Sequence, residues 1–183
     1  EIFTLTELVE KFDLEKVNKA GAVFDIKKLD WMNAEYIKRM DIDTLFAQLR
    51  EGHFFEKELI RQAPDLMQTD TFLKRVLTIE QDRLAKLSEF GEQNPFFFSQ
   101  HIEYDNELLR WKDNSLDSAQ SALKQALTIL TDADKSLWNE HSQLEKILLE
   151  AAGEKRGDFL WPLRVALSGA QRSPSPFACA WVL

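Results

Sequence analysis

Two arginines stand where charge is least expected. Arg164 is the only charged residue in WPLRVALSGA, residues 161–170, and the segment RSPSPF follows it before a second apolar run. Arg83 lies in a stretch, Thr69 to Phe90, whose spacing predicts one long helix. At about 100° per residue it falls inside the apolar arc of that helix rather than opposite it. By the same count Arg75, Arg83 and Lys86 gather within about 80° of one another. A guanidinium is planar, always charged and forked, so either arginine suits bidentate recognition of a base edge or a phosphate. Plainer roles stay open. Arg83 can lay its stem on apolar surface and pair with Glu80 one turn earlier, and Arg164 can bond the C-terminal carbonyls of a neighbouring helix.

Other reactive constellations are missing from the sequence. There is no GxGxxG or Walker-type loop, and six scattered glycines could not supply one. His53, His101 and His141 lie in separate segments without ligand spacing to each other. His101 and Asp105 are four apart, a pair more typical of a surface contact than of a metal site. Cys179 sits in an apolar run without a basic neighbour, which suits a small core residue better than a nucleophile. Nothing here is equipped to make or break a covalent bond.

The elements that must carry these residues read as helices almost throughout. Thr4-Leu5-Thr6-Glu7 is a capping box that opens a short helix to about Phe12. Asp25 is placed to cap a turn carrying Leu29, and a second helix carries Tyr36, Ile37 and Met40. Asp41 to Arg50 is helical up to Gly52, and Phe55 to Gln62 is short, ending before Pro64. In the long Thr69–Phe90 helix, Phe72, Val76, Leu77, Ile79, Leu84, Leu87 and Phe90 share one face. Asn94-Pro95 then breaks the chain, and the three phenylalanines after it are expected to plug a gap between two helical layers. Tyr104 to Trp111 is a short helix. Ser115–Thr131 and Lys135–Ala152 pair as an αα-hairpin across a tight TDAD turn. Asp158 can cap the last full helix, with Pro162 in or near its first turn and Gly169 ending it. Two helical lobes are expected, with a seam near residues 91 to 114.

The 183 residues can hold one large domain or two small ones. With 44% hydrophobic and 30% charged residues the composition is that of a globular protein rather than a disordered one. No apolar run approaches the roughly 20 residues that span a bilayer, and no secretory signal pattern stands at the start. A lone cysteine cannot form an internal disulfide, which suits a reducing compartment such as the cytoplasm. The first residue is Glu1 rather than Met and the last lie inside an apolar run, so the expectation is a piece of something longer. The net charge of -8 argues against binding nucleic acid through uniform basicity. It leaves room for a binder whose basic residues share one face.

Three separated stretches together resemble one family. PLRVALSG followed by RSPSPF resembles the Pro-Leu-Arg-x-Ala-Leu-[Thr/Ser]-Gly … [Ser/Thr]-Pro-x-x-Phe signature of bacterial glutamyl-tRNA synthetases. FTLTELVEKFDLEKVNKAGAVFDIKKLDWMNAEYI resembles the same enzymes just downstream of their active site. RLAKLSEF, followed by a phenylalanine-rich loop and YDNELLRWK, is similar in order and approximate spacing. The resemblance covers nearly the whole sequence.

It implies an all-α, two-lobed helical bundle that binds tRNA. Such enzymes activate glutamate with ATP and Mg on a Rossmann-type domain bearing HIGH-like and KMSKS-like motifs. Neither motif occurs here, so the fragment is expected to have no cofactor and no catalysis of its own. Residues 1–51 would end the stem-contact region, 52–112 would form the first anticodon-binding lobe and 113–183 the second. The family's arginine that reads the third anticodon base, and helps reject tRNA for glutamine, falls on Arg83. Its other anticodon contacts fall on Arg164, Ser173, Pro174 and Pro176, with supporting contacts to tRNA expected from Arg75, Lys86, Lys28 and Asn33. Two departures stand out: Ser175-Pro176 replaces a commoner glycine and small or apolar residue, and EKRGDFLW carries fewer basic residues than the family's lysine-rich stretch. Prolines fix φ and remove donors, so the Ser173–Pro176 loop is pre-shaped, with carbonyls and a hydroxyl left to meet a splayed base. The partner implied is tRNA-Glu, bound by a monomer in the cytoplasm. Composition alone would equally allow an acidic helical adaptor that binds protein.

Overall fold

The computed structural model describes residues 2–16, 21 and 24–183, and among them every regular element is helical. The first, α1 (Leu5–Lys11), starts at the expected capping box: Glu7 N–H donates to Thr4 Oγ1 and Thr4 N–H donates to Glu7 Oε2. Asp25 caps α2 (Ile26–Arg39) by accepting from Lys28 N–H. The two short elements expected here are one helix of 14 residues, because nothing between Leu29 and Tyr36 breaks it. Asp41 caps α3 (Ile42–Glu51), which ends at Gly52. The segment read as one helix from Phe55 to Gln62 is a 3₁₀ turn, Phe54–Glu56, followed by α4 (Glu58–Arg61).

The largest departure lies in Thr69–Phe90. Thr69, read as the first residue of the helix, caps α5 (Asp70–Glu80), but the helix stops at Glu80. The Glu80 side chain is fully buried and accepts from Gly91 N–H at 2.8 Å and from Asn94 Nδ2 at 2.9 Å. A carboxylate that satisfies donors 11 and 14 residues further on requires the chain to fold back over it. The fold-back uses a 3₁₀ turn at Gln81–Arg83, an extended Leu84, a second turn at Leu87–Glu89 and a positive φ of 78° at Gly91. A Cβ at Gly91 would sit 3.0 Å from the Phe98 ring, so glycine serves both the backbone and the packing. Leu84 and Phe90 are buried as the periodicity suggests, though turns rather than a helix bury them.

These elements enclose a first core of Leu45, Phe46, Leu49, Val76, Leu77, Phe90 and their neighbours. Phe97 and Phe98 enter it from the turn Pro95–Phe98, with Phe98 edge-on to both Phe72 and Phe90. Each such side chain taken from water contributes about 1.5–3 kcal/mol.

A second core follows from three helices. Ser115 caps α6 (Leu116–Asp132); α7 (His141–Ala152) and α8 (Arg156–Ser168) pack with it around Leu148, Phe159 and Leu163. The expected Lys135–Ala152 helix is divided, since Lys135–Asn139 forms a separate 3₁₀ turn capped by Asp134. Likewise only Asn106–Leu109 of the expected Tyr104–Trp111 helix is helical, as a 3₁₀ turn. Asp158 lies within the first turn of α8 instead of capping it, and Pro162 is well inside the helix, buried. Gly169, at φ 67°, terminates α8 in the left-handed conformation expected of a C-terminal glycine.

The second apolar run forms a further helix, α9 (Pro176–Val182), capped by Ser175 and started by Pro176. It stitches the two cores together. Cys179 and Val182 enter the first core, while Phe177 packs on the second and Leu167 of α8 touches both.

Candidate functional site

One side of the site is the turn that ends α5. Gln81 Nε2 donates to Ile37 O and Met40 O at the end of α2, at 2.9 and 2.7 Å, which locks the turn to that helix. Arg83, two residues on, is exposed, and its carbonyl accepts from Gln93 Nε2. The buried Glu80–Asn94 pair lies directly beneath. Glu80 therefore serves Gly91 and Asn94 rather than Arg83, so the sequence-level pairing of Glu80 with Arg83 is replaced. Burial raises the Glu80 carboxyl above its ordinary range, partly offset by the hydrogen bonds from Gly91 and Asn94.

The facing side is built by α8 and the corner after it. Arg164 Nη1 donates to Ser173 O at 2.7 Å and to Pro174 O at 3.3 Å. The expectation that this corner keeps its carbonyls for a ligand is thus corrected: Arg164 occupies them. Among the described residues Arg164 Nε and Nη2 have no hydrogen-bond partner, so half of its fork remains for a ligand. Pro174 and Pro176 are buried; Pro174 supplies a carbonyl and Pro176 the first residue of α9. Cys179 lies beneath them, fully buried, its thiol 3.7 Å from Pro174 O and pushed up to about 11 by burial, as an inert core thiol should be.

Between the two sides is a cleft of about 550 Å³. Arg83, Arg164 and Ser173 all line it, together with Gln93, Asn94 and the exposed Arg172. Its other wall is aromatic. Trp111 and Trp161 stand 5.0 Å apart at 43°, and Trp161 Nε1 is spent on Leu108 O. Trp111 lies against Gly157, where an added Cβ would be 2.2 Å from its Nε1. Three arginines and no carboxylate line the cleft, and among the described residues none of the three forms an ion pair. The tryptophan pair was not singled out by sequence; its members are 50 positions apart, and only their size among apolar neighbours could have marked them.

The expected supporting residues lie elsewhere. Arg75 donates to the carbonyls of Trp181 and Trp138, and Lys86 pairs with Asp30. Asn33 donates to Ala85 O, and Lys28 is exposed on the first turn of α2. The grouping of Arg75 and Lys86 with Arg83 depended on a continuous helix, and the break at Glu80 removes it. His53 contacts Glu56, and Asp105 caps its own turn rather than meeting His101. Among the described residues no three His, Cys, Asp or Glu side chains are grouped to hold a metal ion. Charged forks, indole faces and amide groups around an open cleft are the means by which proteins hold an unstacked nucleotide.

The sequence matches the family described as Anticodon binding domain over residues 5–183. The chain belongs to that family.

Individual relatives of this anticodon-binding domain are glutamate–tRNA ligases. One from Clostridium botulinum (strain Eklund 17B / Type B) is 32% identical over 95% of this chain and 34% of its own length. One from Dehalococcoides mccartyi (strain CBDB1) is 36% identical over 100% of this chain and 37% of its own length. The chain thus spans about a third of the length of these curated relatives. The fold is similar to that of a glutamate tRNA ligase from Elizabethkingia meningosepticum, with a TM-score of 0.71 at 19% identity, over 99% of this chain and 34% of that one. The glutamate-tRNA synthetase from Elizabethkingia anophelis gives 0.67 at 20% identity over the same shares.

Proposed function

We propose that this domain reads the anticodon of tRNA-Glu as part of a glutamate–tRNA ligase. The observation that carries the reading is that Arg83, from the turn after α5, and Arg164, from α8, line one cleft together with an indole wall. Arg83 faces the base edge that separates glutamate from glutamine tRNA. Arg164 keeps Nε and Nη2 for a second nucleotide, with Ser173 beside it. Pro174 and Pro176 act by holding this corner rather than by touching the ligand. A base that cannot satisfy such a fork loses about 1–3 kcal/mol of binding.

Aminoacylation, with its ATP and Mg, belongs in this reading to the two-thirds of the relatives' length that the chain does not span. The domain acts as a monomer in the cytoplasm; no helix among the described residues is long and apolar enough to cross a membrane. The protein-adaptor reading loses its support, since it rested on composition alone and the family match speaks for RNA.

The test is a binding titration with tRNA-Glu and tRNA-Gln. Wild type should prefer tRNA-Glu. Arg83→Gln should narrow the preference about tenfold, the worth of one base contact, with a nearly unchanged Tm because Arg83 is exposed. Equal affinity of the wild type for both tRNAs would refute discrimination by this cleft.

A further inference from the structure

The Arg75 guanidinium lies away from the cleft and joins three segments that are remote in sequence. From α5 its Nη1 donates to Trp181 O, near the end of α9, at 2.8 Å. Its Nη2 donates to Trp138 O, in the turn between α6 and α7, at 3.0 Å. Its Cζ lies 5.1 Å from the centroid of the Trp181 ring. Trp181 Nε1 then donates to the same Trp138 carbonyl at 3.1 Å, which closes the cluster. His141 of α7 also stands edge-on to Trp181, with ring centroids 6.2 Å apart.

The two helices fastened in this way are those that lead to the two rims of the cleft. α5 runs straight into the turn that carries Arg83. α9 begins at the corner whose carbonyls Arg164 grips. A shift of α9 relative to α5 is thereby coupled to the spacing of the rims. The second core meets the first mainly through the few residues of α9 and Leu167. Apolar contacts of this kind resist separation but not sliding, whereas two directed hydrogen bonds from one planar group fix both distance and angle.

We propose that Arg75 is a positioning residue that sets the opening of the cleft, and that it makes no contact with RNA. The inference rests on the tRNA reading only for its functional consequence. The geometric part stands by itself.

The test uses Arg75→Met, which keeps an apolar stem over Trp181 and removes the donors, and Arg75→Lys, which keeps the charge. Spin labels at Ser88→Cys and Lys124→Cys, exposed positions on the two sides, report the separation; the buried Cys179 stays unlabelled. In Arg75→Met the distance distribution should shift or broaden, and Arg75→Lys should fall between it and wild type. Affinity for tRNA-Glu should fall about fivefold or more, the size of a coupling within one network. The slope of log affinity against log salt should stay as in wild type, because no phosphate contact is lost. An unchanged distance distribution would overturn the proposal, even with a lowered Tm. So would a slope reduced by about 0.7–0.9, the signature of one lost phosphate contact. If Arg75→Met does not fold, Arg75→Lys decides by the same two readouts. If wild type binds neither tRNA, the functional reading fails while the label distances still decide the clamp.

Discussion

Glu80 shows how one residue can override a helix pattern. Its neighbours spell a continuous amphipathic helix, yet the carboxylate is fully buried and answers donors on Gly91 and Asn94. Burial is the main cause of its raised pKa. The native state therefore holds the proton more tightly than the unfolded chain, and the contribution to stability is largest below the ordinary value of 4.5 and is lost as pH rises through the native value. Glu80→Gln cannot titrate, and its amide places a donor against a donor, at a cost of about 1–3 kcal/mol. The Tm advantage of wild type over Glu80→Gln should widen as pH is lowered from neutral toward 4.5. A pH-independent difference would mean that the carboxyl is solvated. The lowered carboxyl pKa values of Glu7, Asp41 and Asp134, each from hydrogen bonds with nearby Thr or Ser residues, are common to both proteins and cancel.

At the scale of elements, what was legible in the sequence was what is decided locally. The caps at Thr4 and Asp25 and the stop at Gly169 each depend on residues a few positions apart, and all are present, whereas Asp158, also read as a cap, lies inside the first turn of α8. The break after Glu80 depends on partners up to 44 positions away, through Gln81 and α2, and no local window contains it. The same division holds for the site. Arg83 and Arg164 stood out by residue type and Ser173 by the family resemblance, whereas the Trp111–Trp161 wall exists only because α8 packs beside the segment that follows Leu109. Gly157 is the element-level control on that wall. Gly157→Ala should displace the Trp111 ring, since the new Cβ would stand 2.2 Å from Nε1, and should cost about 1–3 kcal/mol as overpacking does. Tryptophan fluorescence and Tm should change together, and tRNA binding should weaken although no charge has been touched. An unchanged spectrum would place the indole elsewhere.

For the whole molecule, the acidic balance and the cationic cleft are compatible because they occupy different surfaces. With a net charge of -8, general attraction to RNA is absent, and affinity must come from a few sites. The salt dependence of tRNA binding should accordingly be shallow, and Arg172→Ala, at an exposed position on the rim, should reduce its slope by about 0.7–0.9 while leaving Tm unchanged. A slope that does not respond would remove Arg172 from the interface.

The carboxamide of Gln81 has a consequence for how such a reader could be tuned. By gripping the final carbonyls of α2 it denies Arg83 an independent seat. Any force that tilts α2 travels through two hydrogen bonds to the turn that carries Arg83, which the proposed function sets against a base. Under that proposal fidelity is partly a mechanical property, adjustable from a helix that does not line the cleft.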